Sequence, residues 1–595
     1  MFSLTLTLMF VTTLLGVAPA PQGHLPTHLD ISSIRAIPVQ HDGRWMPLDT
    51  LARDTVDTVM GERVFADKDP VLLLLAWTFE PAVWKDVPLI TIQNRQLREA
   101  IKLSPGKTVY SYTELVNHEP LNHLISDLSH LQGERRLDPL ESKVSDINKK
   151  LILLNQVFQC QVIRIIPDAK DILGIWQPIL VLPQGIKGHT QSPAQTEWVA
   201  LERTFLADDG PGFSIATDRL ISALAALPTA YKPNPKLITA ELRYNRCDFF
   251  RLAWMVMIAG ALFSAVRIGL RKKWFDVFTI FVLIAGFGIL TYGLSLRWQI
   301  AGHIPASNLF ESLLFLSWGM GIFTILSMFV LSHRLVPVTA SAMGAIALIL
   351  ADCLPIDHYI RPIAPVLLDT IWMSIHVPVI MVSYSVLALA VIIAHIQLIV
   401  MAIAPARKAF IKTIDSLHYN YVYVGSFLLL AGILTGSMWA ASSWGRYWGW
   451  DPKEVWSLVA LLGYLAILHV RIDKAKVSRK AYFVAALWAI SLFIIVVPML
   501  KPITGLTFLA LAGTAAAMVI FLMARSQFAT ALKSILAFWL IIMTYVGVNF
   551  VLGTGLHSYA FGAGAVVHYL FLVGGIDLLL VGVCSGIYLF RFSGK

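Results

Sequence analysis

Apolar residues are distributed in three textures along the 595-residue chain. Residues 1–20 form a nearly unbroken apolar run, residues 21–246 mix short apolar clusters with charges and prolines, and residues 247–595 alternate long apolar runs with short connectors. In the last region eleven runs approach or exceed the roughly 20 helical residues, at about 1.5 Å each, that cross ~30 Å of hydrocarbon. They cover approximately 249–270, 275–296, 309–331, 336–354, 371–403, 421–441, 455–470, 481–500, 503–524, 535–552 and 565–590. The expected fold is mostly α: a polytopic membrane helical bundle of about eleven spans, preceded by a mixed α/β domain outside the membrane.

Within residues 21–246, the stretch from Ile37 to Arg53 reads as a strand, an Asp42-Gly43 turn, a second strand and a helix start, with Asp49 placed to cap the helix. The first twenty residues end in Ala-Pro-Ala and resemble a signal sequence, although they lack Lys and Arg and are followed by Pro21, which leaves an uncleaved anchor open.

Composition narrows the setting. Hydrophobic residues make up 56% and charged residues 14%, with mean hydropathy +0.67, too apolar for a soluble chain of this length. The net charge of +10 does not indicate nucleic acid, because the basic residues punctuate apolar runs and form no patch on a polar domain. Cys160, Cys247, Cys353 and Cys584 include no CxxC pair, which excludes a sequence-encoded zinc or thioredoxin-like centre.

Orientation follows from the connectors. One alternate set holds sixteen Lys and Arg and the other holds five, Arg297, Arg361, Arg446, Lys453 and Lys501. The positive-inside rule places the first set in the cytoplasm, the domain of residues 21–246 outside (periplasmic), and the carboxyl terminus inside. The loop between the sixth and seventh runs then faces outward. It holds Trp439, Trp444, Tyr447, Trp448, Trp450 and Trp456 within eighteen residues. An interfacial aromatic belt accounts for single rings at both membrane surfaces. It does not account for this density in one loop, joined to two glycines, Arg446 and the helix start Asp451-Pro452-Lys453-Glu454.

The run Trp444-Gly445-Arg446-Tyr447-Trp448-Gly449-Trp450-Asp451-Pro452-Lys453-Glu454 resembles the tryptophan-rich WWD signature of haem-handling proteins, and its ending is similar to the CcsA (ResC) branch of the System II cytochrome c synthase. Asn308-Leu309-Phe310-Glu311-Ser312, Ile375-His376-Val377, Leu468-His469-Val470-Arg471, and Gly547-Val548-Asn549 with Gly555-Leu556-His557-Ser558-Tyr559 resemble further family segments in the family's order. The resemblance covers roughly residues 245–595. Residues 38–53 also look like a segment of fused CcsB–CcsA proteins.

The resemblance implies a synthase in the bacterial inner membrane that moves haem b across and attaches it to the Cys-x-x-Cys-His thiols of apocytochrome c. It implies His376 and His557 as axial ligands of the outer haem iron, and His469 as a ligand of an inner site whose partner histidine belongs to a CcsB (ResB)-like subunit. A thiol-reducing protein is a further partner it admits. The residues fit this account: imidazoles ligate iron, the rings of Trp444, Tyr447, Trp448 and Trp450 beside Asp451 suit a macrocycle, and Arg446, with Lys453, suits the propionates.

His395, nineteen residues after His376 and so about 28 Å along one helix, is a local candidate for the inner pair. His568 competes with His557, and Asp577 sits mid-run, where a charge must be protonated, paired or facing a cavity. The chain departs from the family between His469 and His557, where three runs stand in place of one. Two other readings stay open: a haem exporter or chaperone of the CcmC or CcmF kind, and an electron-transfer b-type cytochrome.

Overall fold

The computed structural model describes residues 23, 25–61, 68–92, 94–104, 106–131, 139–167, 174–180, 192–227, 233–270, 272–330, 335–354, 356–363, 371–472, 527–542 and 564–592. The signal-like segment, the runs expected at 481–500 and 503–524, and the Gly547 and His557 segments lie outside them. The chain divides into two compact units, Met1–Arg246 and Cys247–Lys595.

The described part of the first unit combines helices with three small two-stranded antiparallel sheets. Strands β1 (Pro38–His41) and β2 (Arg44–Pro47) pair across a turn in which Asp42 (φ 47°) and Gly43 (φ 77°) are both left-handed, the geometry an Asp-Gly hairpin turn favours. Two more antiparallel strand pairs join β3 (Pro88–Thr91) to β4 (Val109–Ser111) and β5 (Arg164–Ile166) to β6 (Gln177–Pro178). The main helices are α1 (Leu48–Met60), α2 (Pro70–Phe79), α3 (Pro139–Phe158), α4 (Pro193–Leu206), α5 (Gly210–Ala225) and α6 (Pro235–Arg246). One apolar core unites them, with Trp77 and Trp198 fully buried.

Asp49 does not cap α1. Pro47 takes the extended N-cap position, and Asp49 lies inside the first turn. Its buried carboxylate instead accepts hydrogen bonds from Arg35, from Arg53 Nε (2.8 Å) and from Asn245 Nδ2 (3.0 Å). Arg44 grips Glu241 through two nitrogens (2.7 and 3.0 Å), and Thr50 donates to the same carboxylate (2.8 Å). The hairpin and α1 are thereby tied to α6, the last helix of the unit.

The second unit contains α7 (Phe249–Gly269), α8 (Lys273–Ala301), α9 (Leu309–Val330), α10 (Leu335–Cys353), α11 (Ile371–Ile403), α12 (Lys408–Trp444), α13 (Pro452–Ile472), α14 (Gln527–Ile542) and α15 (Gly564–Phe592). Helices α7 to α12 are long and apolar enough to cross a membrane. Helix α14 and the stretch Leu572–Tyr588 of α15 are shorter apolar helices. The α7 helix packs on α8 and α10, α9 bridges α10 to α11, α14 lies against both α11 and α13, and α15 rests on α11. The most extensive packing joins α11 to α12.

Two cations read from the sequence as loop charges are interior. Arg297 is fully buried near the end of α8, and Lys533 is buried within α14. Each falls in a different set, so without them the sequence count is fifteen against four.

Burial raises the pKa of Asp49, but the charges of Arg53 and Arg35 and the hydrogen bonds from Arg53 and Asn245 outweigh it and hold the carboxyl below its ordinary value. A carboxyl depressed on folding stabilises fully above its unfolded pKa, about 4, and that contribution is lost as the pH falls through the lower folded value. Asp49→Asn in the full chain therefore costs ~3 kcal/mol at neutral pH. Hydrogen exchange of the α1 and α6 amides checks this: exchange rises in the variant at pH 7, and the difference from the parent shrinks below about pH 4.

Candidate functional site

The tryptophan-rich loop is shaped at both ends by helix termini. Helix α12 ends at Trp444, and Gly445 takes the left-handed C-cap conformation (φ 71°), its amide returning to Ala441 O. At the other end Asp451 Oδ1 accepts from the Lys453 amide (2.9 Å) as N-cap of α13. Glu454 Oε2 reaches back to accept from the amides of Asp451 (3.2 Å) and Gly449 (2.8 Å), so one carboxylate holds both the helix start and the turn before it.

Between these ends Trp450 sits at φ 56°, a conformation uncommon for a bulky residue. Its ring meets that of Trp448 edge to face at 6.0 Å. Trp450 and Tyr447 are mostly exposed, and Arg446 is exposed as well. A Cβ at Gly449 would fall 2.6 Å from the Arg446 guanidinium carbon, so the bare backbone at Gly449 makes room for that group. The aromatic faces and the guanidinium stand together on one short loop.

His376 lies in the second turn of α11. Its Nδ1 donates to Gly432 O of α12 (2.8 Å), because a carbonyl only accepts; this fixes the tautomer in which Nε2 carries the lone pair. Its ring lies 5.7 Å from Trp439, which lies 6.1 Å from Trp444. A file of rings thus leads from the imidazole to the start of the loop.

This approach depends on glycine. A Cβ at Gly436 would fall 2.7 Å from His376 Cε1, and one at Gly432 would fall 2.2 Å from Ile380 Cδ1. Gly432 and Gly436 are spaced as small-xxx-small, the pattern that lets helices in a membrane approach closely. That spacing was legible in the sequence and went unread beside the louder tryptophan signal.

A second support was also missed. The fully buried pair Arg297–Glu311 (2.7 Å) joins the end of α8 to the start of α9. Arg297 donates further to the carbonyls of His358 (2.8 Å) and Tyr359 (3.0 Å), and Glu311 accepts from the amide and hydroxyl of Ser307 (2.7 and 2.6 Å). Asn308 caps α9 by accepting from the Glu311 amide (2.9 Å). The loop so held presses Ile304 and Ala306 into an apolar cluster with Met381 and Val377, the neighbour of His376.

His469 lies near the far end of α13, exposed, with Nδ1 donating to Leu465 O (2.7 Å), which again puts the lone pair on Nε2. His395 is otherwise engaged. Its Nδ1 donates to Val391 O (2.8 Å), and its Nε2 lies 2.6 Å from Asp577 Oδ1. Asp577, for which the sequence offered three possibilities, is paired. His557 lies outside the described residues, and the His568 side chain is not described.

Comparison with known proteins adds a family. A family model described as Cytochrome C assembly protein matches residues 306–500, a range that contains Glu311, His376, the whole loop and His469. The chain is 27% identical to Protein NrfI of Wolinella succinogenes over 543 residues, covering 87% of this chain and 53% of NrfI, so it spans about half of that relative. It is 34% identical to the cytochrome c biogenesis protein CcsA of Synechococcus sp. (strain CC9902), over 33% of this chain and 75% of that protein. The CcsA of Porphyra purpurea is 29% identical, over 41% of this chain and 91% of that protein.

The glycine contact generates a test. Gly436→Ala is expected to displace the His376 ring; on the haem-binding reading proposed below, haem retained by the purified protein then falls on the order of tenfold, the scale on which disturbing an oriented metal ligand acts. Ser437→Ala, whose hydroxyl bonds only within its own helix at Leu434 O, leaves retention unchanged. The Soret absorbance per mole of protein measures both.

Proposed function

The chain belongs to the CcsA family of cytochrome c biogenesis proteins, and from that premise we propose that it is a haem lyase, or the haem-presenting subunit of one, in the bacterial inner membrane. It binds haem b at the periplasmic face and attaches it to the two thiols of a Cys-x-x-Cys-His segment in apocytochrome c. The observation that carries this reading is His376, its tautomer set by Gly432 O and its ring set against Trp439 at the head of the tryptophan loop.

The donor set suits the group. His376, with His557, supplies imidazole nitrogens for iron, the indoles of Trp444, Trp448 and Trp450 and the Tyr447 ring supply apolar faces, and Arg446 supplies a planar cation for carboxylates. Asp451 acts through the loop's shape, as N-cap. Bound haem brings an iron that takes axial ligands and two vinyl groups to which thiols add. The residues of the chain do the remaining work: His376 fixes the iron's position, the aromatic rings limit water, and Arg446 sets the rotation about the ring normal. Holding the vinyl groups where the substrate's thiols arrive replaces a bimolecular encounter by a local one. The substrate's own histidine then displaces one of the chain's imidazoles as product leaves.

The charge asymmetry between connectors supports the orientation, with the first unit in the periplasm and the carboxyl terminus in the cytoplasm. His469, near the opposite end of the bundle from the loop, is the inner haem ligand and takes its partner imidazole from a CcsB-like subunit. His395 does not serve, since Asp577 holds its Nε2. A thiol-reducing protein keeps the substrate cysteines reduced.

Production of the full chain with and without a CcsB-like partner, beside a Cys-x-x-Cys-His substrate, tests this reading by haem stain after denaturing electrophoresis. Covalent product is expected with the partner present. His376→Ala and His557→Ala each lower it on the order of tenfold to a hundredfold, and added imidazole restores haem binding in both. Haem bound normally but never attached would make the protein an exporter or an electron carrier, and normal haem in both variants would remove the ligand assignment.

A further inference from the structure

Helix α1 starts directly after β2, its Leu48 amide donates to Ile37 O at the open end of the hairpin (2.9 Å), and it packs against both strands. The helix therefore folds back along the hairpin. From that end the paired residues His41 and Arg44 lie three residues up the strands, about 10 Å at 3.3 Å per residue. Asp54 lies six residues along α1 from Leu48, about 9 Å at 1.5 Å per residue. Strand and helix reach the same height beside the Asp42-Gly43 turn.

Three side chains meet there. One donor atom each from His41, Asp42 and Asp54 lies within 4.8 Å of the other two, and His41 Nε2 is 3.6 Å from Asp42 Oδ1. The turn holds Asp42 at φ 47° with its side chain about half exposed, His41 is partly buried at the end of β1, and Asp54 is buried on α1. Arginines at this corner are engaged by other carboxylates: Arg44 grips Glu241, Arg53 bonds Asp49, and Arg35 bonds Asp49 and Asp69. An ion at the three donors leaves those pairs intact.

The donor set selects the ion. Two carboxylates and a neutral imidazole carry two negative charges, which a divalent cation matches. An imidazole nitrogen disfavours Mg²⁺ and Ca²⁺, which take oxygen ligands, and the lack of sulfur disfavours Cu(I). Zinc bonds of about 2.0–2.2 Å put tetrahedral donors about 3.4 Å apart, an approach that rotation of the Asp42 and His41 side chains supplies. The cysteine spacing that excludes a thiolate centre does not bear on this set.

We propose that His41, Asp42 and Asp54 form a divalent metal site of the zinc class, in which the ion staples the hairpin turn to α1. Three protein donors leave a fourth tetrahedral position for water or a small anion. The site uses the first unit alone and is independent of the haem reading.

Hydrogen exchange on the haem-free full chain, cleared of metal with EDTA, tests it. A modest excess of Zn²⁺ slows amide exchange over residues 38–54 on the order of tenfold, and Mg²⁺ leaves it unchanged. Asp42→Asn, a substitution the left-handed turn position tolerates, and His41→Gln both lose the protection by zinc. Zinc affinity, read by competition with a chromogenic chelator, falls at least about tenfold in Asp42→Asn. No slowing in the parent, slowing that persists in either variant, or equal slowing by Mg²⁺ overturns the site. Parental zinc affinity in Asp42→Asn overturns it as well, even where that variant alters exchange before metal is added.

Discussion

The arrangement of the second unit depends on how closely α11 and α12 approach. Gly432 and Gly436 bring the α12 backbone to within hydrogen-bonding reach of a ring on α11, and that reach is what lets a carbonyl choose the tautomer of His376. Shape and chemistry are one constraint here. A methyl group at either glycine separates the helices, removes the bond, and moves the imidazole away from Trp439. The loop is anchored to the same helix end, so its rings inherit their position from the same contact.

Beyond that seam, buried polar groups set which helix neighbours which. Arg297 is answered by Glu311 from the next helix and by two carbonyls of the following loop. Asp415 of α12 is held by the amides of Gln397 from α11 and Gln527 from α14, each at 3.1 Å. Asp577 is held from α11 and α14. In an apolar medium van der Waals packing alone tolerates sliding and rotation, whereas an unanswered polar group does not. Each of these contacts therefore selects one rotation and one height for its helix.

The sequence revealed periodicities and punctuation better than it revealed partners. The helical class, the Asp42-Gly43 hairpin and the helix start at Asp451 to Glu454 were legible, because each is encoded within a few residues. Asp49 was misread for the complementary reason: its partners Arg35 and Asn245 are distant in sequence, and a local rule assigned it the cap that Pro47 fills. Arg297 and Lys533 were counted as connector charges because hydropathy windows cannot distinguish the end of a run from a buried site within it. Asp577 announced itself as an anomaly, but its partner His395 is 182 residues away. The family-level reading needed none of these long-range contacts, since the tryptophan loop is contiguous.

Pro378 stands two residues after His376, inside α11. A proline has no amide hydrogen, so it returns no rung to the carbonyl of Ser374 four residues earlier, and the opening turn is joined to the helix below by one bond fewer. The turn that carries His376 therefore takes its bearing from the facing helix more than from its own. Helix α11 acts as a mast whose top is guyed from outside: bending of the shaft below Pro378 transmits poorly to the ring, while displacement of α12 transmits directly. Sequence change on the α12 face should accordingly be less tolerated than change of equal size in the body of the helix to which the histidine formally belongs.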